Sequence, residues 1–245
     1  MPKLICILLL TLFGLSVQSA EMTPEQYVEI FSSPDTLKKK KTSESLAWAG
    51  LTDPKIFDLL EQEILASYTS ARRKDDVDYL AWLSKGLGFS GNQKYRETLE
   101  KVSTNSKSSK LKKYGQSSLG LLKQYQGWNK IIVSGNNSES YPNKKTRFNN
   151  MLTSGDYELI RIAAKRIHTE HFYEKNVLDT AIEVIESNIS VTGYRLFTDS
   201  MAWLCKAVAG SRDRQYFDRI KNISREAKDS RLRNYAKKYL RIYFN

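Results

Sequence analysis

Apolar residues recur three and four positions apart along most of this chain, the period of a helix that buries one face. Ile56, Leu60 and Ile64 make one stripe, and Leu80, Leu83 and Leu87 the next. Tyr95, Leu99 and Val102 carry it on, followed by Leu111, Tyr114, Leu119 and Leu122. The spacing returns in Leu159, Ile160, Ala163, Ala164 and Ile167, then in Met201, Leu204 and Val208. Tyr216, Ile220 and Ile223, and finally Leu232, Tyr235 and Leu240, complete it. Polar punctuation falls between the stripes. Thr23-Pro24-Glu25-Gln26 is a capping box with proline at the first helical position, and Ser33-Pro34-Asp35 and Asp53-Pro54 read as further starts. Ser90-Gly91-Asn92 and Ser211-Arg212-Asp213 read as turns. The pattern predicts an all-α chain of short amphipathic helices.

The stripes are also duplicated. Asp78 to Leu119 recurs without a gap as Asp199 to Leu240, at an offset of 121 residues and with 13 identities over 42 positions. The matched pairs include Ala81/Ala202, Trp82/Trp203, Leu83/Leu204, Tyr95/Tyr216, Leu111/Leu232 and Tyr114/Tyr235. At the same offset Ile56, Asp58, Leu60 and Ile64 meet Val177, Asp179, Ala181 and Ile185, so the duplication reaches back to about residues 53 and 174. Each hairpin has an apolar face that it cannot hide alone, and stacking the hairpins side by side hides all of them. The matched tryptophans and tyrosines are expected to be packing residues.

One unit carries a family likeness. In Ala47-Trp48-Ala49-Gly50-Leu51-Thr52-Asp53-Pro54 a helix closes on small and apolar residues, turns, and meets an Asp-Pro start before an amphipathic second helix. This resembles the HEAT and HEAT-like repeats, which implies an α-solenoid of stacked antiparallel helical hairpins that binds other proteins through its surface. The expected organisation is a leader at 1–19, a helical half at 20–125, an irregular connector at 126–155 and a second helical half at 156–245. Ser134-Gly135-Asn136-Asn137-Ser138 and Tyr141-Pro142-Asn143 are the loop signals in that connector.

The leader is read from Lys3, the apolar run Leu4 to Leu15 and the small residues near Ser19 and Ala20, which together resemble a cleavable signal peptide. It is too short to span a bilayer, which needs about 20 apolar residues. The expected location is therefore periplasmic or secreted. Removing the leader also removes Cys6 and leaves Cys205 alone, so no intrachain disulfide is expected.

Charge narrows the partners. Lysine and arginine number 39 against 27 acidic residues, a net charge of +12. Such a field attracts anions, and export turns the expectation from nucleic acid toward acidic proteins or anionic envelope components such as phospholipid, lipopolysaccharide or acidic polymer. The densest basic clusters are Lys38 to Lys41, Arg72-Arg73-Lys74, Lys110-Lys112-Lys113 and Arg231-Arg233-Lys237-Lys238. Lys110 and Lys112 match Arg231 and Arg233 across the duplication. Lys110, Lys112, Lys113, Arg231, Arg233, Lys237 and Lys238 thus form a candidate basic edge, expected along one side of the stack.

Little else suggests chemistry. His168 and His171 stand three apart with Glu170 and Glu174 nearby, a spacing that could offer a metal two imidazoles and a carboxylate, but surface histidines at a helix end account for it more simply. Cys205 matches Ser84 and reads as a small packing residue. There is no Gly-x-Ser-x-Gly elbow and no phosphate-binding glycine loop. The expectation is a non-enzymatic scaffold or adaptor that binds another protein and requires no metal and no cofactor. The alternative is attachment to an anionic envelope surface through the basic face.

Overall fold

The computed structural model describes residues 21–135 and 140–245. The leader and the centre of the 134–138 loop lie outside the described residues. Twelve α-helices follow one another, and no strand occurs among the described residues. They are α1 (Pro24–Ser32), α2 (Thr36–Ser45), α3 (Pro54–Ser67), α4 (Lys74–Phe89), α5 (Arg96–Asn105) and α6 (Ser109–Ile132). The second series is α7 (Lys144–Leu152), α8 (Tyr157–Thr169), α9 (Lys175–Ser187), α10 (Arg195–Gly210), α11 (Phe217–Glu226) and α12 (Ser230–Tyr243).

The 121-residue offset maps α4 onto α10 and α5 onto α11 end to end, and it maps the starts of α2 and α6 onto those of α8 and α12. The duplication therefore takes in all twelve helices, three hairpins in each unit. Its first hairpin is hard to see because its core is polar in one copy. Lys39, Thr42 and Ser43 are buried where α8 buries Ile160, Ala163 and Ala164. Lys39 is tolerated there because Glu63 pairs with it and also accepts from the Tyr79 hydroxyl. A buried charge stays only when paired in this way. Lys38 to Lys41 is thus not a uniformly solvated patch.

Caps fix most of the helix starts. The Thr23 capping box is closed in both directions, and Asp53 accepts from the Lys55 N–H at 2.9 Å ahead of Pro54. Asp156 accepts from the N–H groups of Glu158 and Leu159, and Asp229 from those of Arg231 and Leu232. One start falls later than Ser33-Pro34 implies: Asp35 is the cap, accepting from the Lys38 N–H, and the helix begins at Thr36.

The hairpins form two layers. The even-numbered helices pack closely on one another and make the inner layer, and the odd-numbered helices lie behind them. Inner-layer neighbours run α6, α4, α2 in one unit and α8, α10, α12 in the other. The units meet where the 3-10 turn Leu46–Trp48 after α2 packs on α8, and where the end of α6 packs on α7. Arg166 of α8 pairs there with Glu44 and lies 4.2 Å from the centre of the Trp48 ring.

The expected irregular connector is mostly helix. Residues 126–132 belong to α6, and α7 occupies 144–152. At 24 residues α6 outruns α12, and its second half lies as a strap across the ends of two hairpins. Tyr125 donates to the Ala47 carbonyl at 2.9 Å, and Asn129 donates to those of Phe89 and Ser90 at 2.9 and 3.0 Å. From there Asn150 of α7 takes up the Ile132 carbonyl at 2.9 Å. Gly50 and Gly91 hold left-handed backbone (φ 71° and 64°) beneath the strap, and a side chain on either would strike it. Their duplicates, His171 and Arg212, keep the same left-handed backbone (φ 52° and 58°) with side chains attached. Among the described residues no equivalent of the strap covers that end of the second unit.

Candidate binding surface on the inner layer

The sequence-predicted basic edge divides into two kinds of residue. Lys110 pairs with Asp78, and Arg231 pairs with Asp229 at 3.1 Å while donating to the Gly193 carbonyl at 2.9 Å. Arg233 donates to the carbonyls of Ala227 and Lys228, where α11 ends. All three stand in the first turn of a helix, within reach of a neighbouring carboxylate or open carbonyl. Lys112, Lys113, Lys237 and Lys238 are exposed. They sit on α6 and α12, at the two far ends of the inner row, so they do not form one continuous edge.

The other candidates also resolve. His168 lies in the last turn of α8, whereas His171 lies beyond it in a left-handed turn, so the two do not share a helical face. The His168 Nδ1 is 3.4 Å from the Tyr173 hydroxyl. Burial, with Lys206 and His171 adding to it, holds the His168 imidazole below its ordinary range. Among the described residues no three His, Cys, Asp or Glu side chains are placed to hold a metal ion. Cys205 is fully buried, and burial pushes its thiol up to about 12.

The matched aromatics are of two sorts, where the sequence suggested one. Tyr95 and Tyr216 are core residues, and their hydroxyls donate to the matched carboxylates Asp58 and Asp179 at 2.7 and 2.8 Å. Trp82 and Trp203 are only half-buried, Tyr114 likewise, and Tyr235 is 39% exposed. These lie on the solvent side of the inner layer, and lysines face the two tryptophans and Tyr114. Lys85 Nζ stands 4.8 Å from the Trp82 ring centre and 5.5 Å from that of Tyr114. Its duplicate, Lys206, stands 4.6 Å from Trp203, and Lys165 approaches the same ring at 5.2 Å.

A tryptophan with a lysine one helical turn onward is thus built twice at the same register. Among the described residues none of Lys85, Lys165 and Lys206 forms an ion pair with a carboxylate. Burial holds the Lys85 ammonium below the ordinary lysine range, with Glu44 opposing that shift. A cation over an indole gains about 0.5–1 kcal/mol at a partly exposed site, and each ammonium keeps N–H donors for an incoming acceptor. The spacing Trp-x-x-Lys was present in the sequence at 82–85 and 203–206. Helical periodicity absorbed it into the core because the same residues fit a packing stripe.

Two trios of antiparallel hairpins, stacked in an inner and an outer layer, define an all-α solenoid of helical hairpins. No protein-family model matches the chain, and no curated protein matches it. Among solved structures it is similar to human deoxyhypusine hydroxylase in complex with glycerol, at 8% identity and a TM-score of 0.37, over 90% of this chain and 84% of that one. What this chain binds has to be read from its own residues.

Proposed function

We propose that this chain is an exported, non-enzymatic scaffold that holds an acidic segment of a partner protein against its inner helical layer. The observation that carries the reading is the duplicated pair Trp82/Lys85 and Trp203/Lys206, whose lysines lack carboxylate partners among the described residues. Carboxylates on the segment bind the ammonium groups, and its apolar atoms pack on the indole edges. The net charge of +12 adds long-range attraction. Export rests on the leader and places the partner in the periplasm or outside the cell.

A photo-crosslinking amino acid placed at position 82 or 203 in the intact cell tests this. The expected product is one adducted protein whose crosslinked peptide is acidic, with none from a control position on the outer layer such as Leu65. Adducts to lipid or polymer alone would favour attachment to the anionic envelope instead.

A further inference from the structure

The two tryptophan–lysine pairs of the inner layer are unequal in charge. The 121-residue offset matches Lys165 to Glu44, so a cation stands beside Trp203 where the first unit has an anion. Glu44 pairs with Arg166, and its charge also bears on the Lys85 ammonium. The first unit's lysine therefore has a counter-charge nearby. In the second unit Lys165 and Lys206 both stand within 5.2 Å of the centre of one indole ring, and like charges gathered around one ring repel.

The carboxylates that could offset those two lysines are already engaged. The inner helices of the second unit, α8, α10 and α12, carry only Glu158 and Asp199 between them, and Arg161 holds both. Lys165 and Lys206 are half-buried and have no carboxylate partner among the described residues. The positive excess extends to His168, whose ring lies 6.2 Å from that of Trp203. After burial, Lys206 is the group that most disfavours the protonated form of that imidazole.

We propose that the second unit's site selects a doubly charged group of the phosphomonoester kind on the bound segment, with Lys165 setting that preference, whereas the first unit's site takes a single negative charge. Phosphoryl oxygens at the indole edge accept from both ammoniums, and the group that carries the phosphate packs on the ring. A carboxylate or sulfonate brings one charge and leaves the second ammonium uncompensated. This rests on the inner layer being a surface for anionic groups, and it gives the bound segment a direction, with its doubly charged end at Trp203.

The test is calorimetric titration of the full chain with phenyl phosphate and with benzenesulfonate, which has the same ring and tetrahedral shape but one charge. At about pH 7.5, above the second phosphate pKa of roughly 6, phenyl phosphate should bind at least about tenfold more tightly. Lys165→Glu, which installs the first unit's residue, and the milder Lys165→Gln should reduce that ratio below about threefold, and Lys165→Arg should keep it. Lys145→Glu, the same charge change at an exposed position of α7, should also keep it. No preference in the native chain, a preference that survives both Lys165→Glu and Lys165→Gln, or an equal loss in Lys145→Glu would overturn the proposal. Oligoglutamate titrated into the same native sample separates the two readings: peptide binding without a phosphate preference removes this one alone, and binding of neither removes the inner-layer surface as well.

Discussion

Replacing Gly91 by alanine and Arg212 by glycine perturbs the same left-handed turn in the two units, and the structure predicts unequal responses. A β-carbon on Gly91 would lie 2.6 Å from the Gln126 nitrogen and the Tyr125 carbonyl carbon, and 2.7 Å from the Tyr125 oxygen. These are backbone atoms of α6 and cannot swing aside. A left-handed backbone costs a non-glycine residue about 1 kcal/mol, and overpacking adds about 1–3 kcal/mol. Gly91→Ala should therefore destabilise by about 2–4 kcal/mol, which for a chain of this size lowers the melting temperature by about 4–16 °C. Arg212 already bears the left-handed cost, and among the described residues no strap meets it. Arg212→Gly relieves about 1 kcal/mol of backbone strain against an unfolded-state penalty of roughly 0.5–1 kcal/mol for the added glycine, and should leave stability almost unchanged. Thermal and urea unfolding followed by circular dichroism measure both. A cost below about 1 kcal/mol for Gly91→Ala, or an equal loss in Arg212→Gly, would refute the strap as the reason for the glycine.

Three further outcomes follow from the packing and the titrating groups. Asp58→Ala and Asp179→Ala each leave a core tyrosine hydroxyl without its carboxylate acceptor and should cost about 1–2 kcal/mol apiece in urea unfolding, adding in the double variant because they serve different units. Cys205 should resist alkylation in the native protein and react only as the chain unfolds, since it is buried with its thiol raised to about 12; rapid native labelling, read by mass spectrometry, would contradict its placement. Burial raises the Asp229 carboxyl, but hydrogen bonds from Arg231, Thr198 and two backbone N–H groups outweigh this and bring it down to about 2. A depressed carboxylate stabilises the fold above its unfolded pKa, so about 2 kcal/mol is present above roughly pH 4 and is lost as the pH falls to about 2. Asp229→Asn should flatten that part of the acid-unfolding curve, and an unchanged slope would argue against it.

Most of the fold was legible because burial follows period. Ile56, Leu60 and Ile64, and likewise Leu204 and Val208, are fully buried as their spacing implies. The helix starts at Thr23-Pro24 and Ser33-Pro34-Asp35 were legible, but the first hairpin's place in the repeat was not, since α2 buries Lys39, Thr42 and Ser43, residues whose chemistry signals a surface until Glu63 is seen beside them. The strap was hidden in another way. Tyr125, Trp128, Asn129 and Ile132 continue α6 at helical spacing, but Gly120 precedes them, Gly127 lies among them and the loop signals at 134–143 follow. The binding surface lay between these cases. The sequence marked aromatic and basic residues recurring together, but which of the two faces solvent depends on the rotation of each helix against its layer. That rotation puts Tyr95 and Tyr216 in the core, and it puts Trp82 and Trp203 outside under lysines.

The inner-layer surface is tested most directly by titrating an oligoglutamate peptide against three forms of the protein, following tryptophan fluorescence with calorimetry as a second readout. One is the native chain. One carries Trp82→Ala, Lys85→Gln, Trp203→Ala and Lys206→Gln, and the last carries Lys112→Gln, Lys113→Gln, Lys237→Gln and Lys238→Gln. The edge variant should melt near the native temperature, since its four lysines are exposed, and the inner-layer variant below it, since Trp82 and Trp203 are half-buried; far-UV circular dichroism at the titration temperature checks that it is folded. The predicted result is a loss of at least about tenfold in affinity for the inner-layer variant, a change of less than about threefold for the edge variant, and native binding that weakens as salt rises. Full binding by the inner-layer variant, with the loss falling on the edge variant instead, would contradict it.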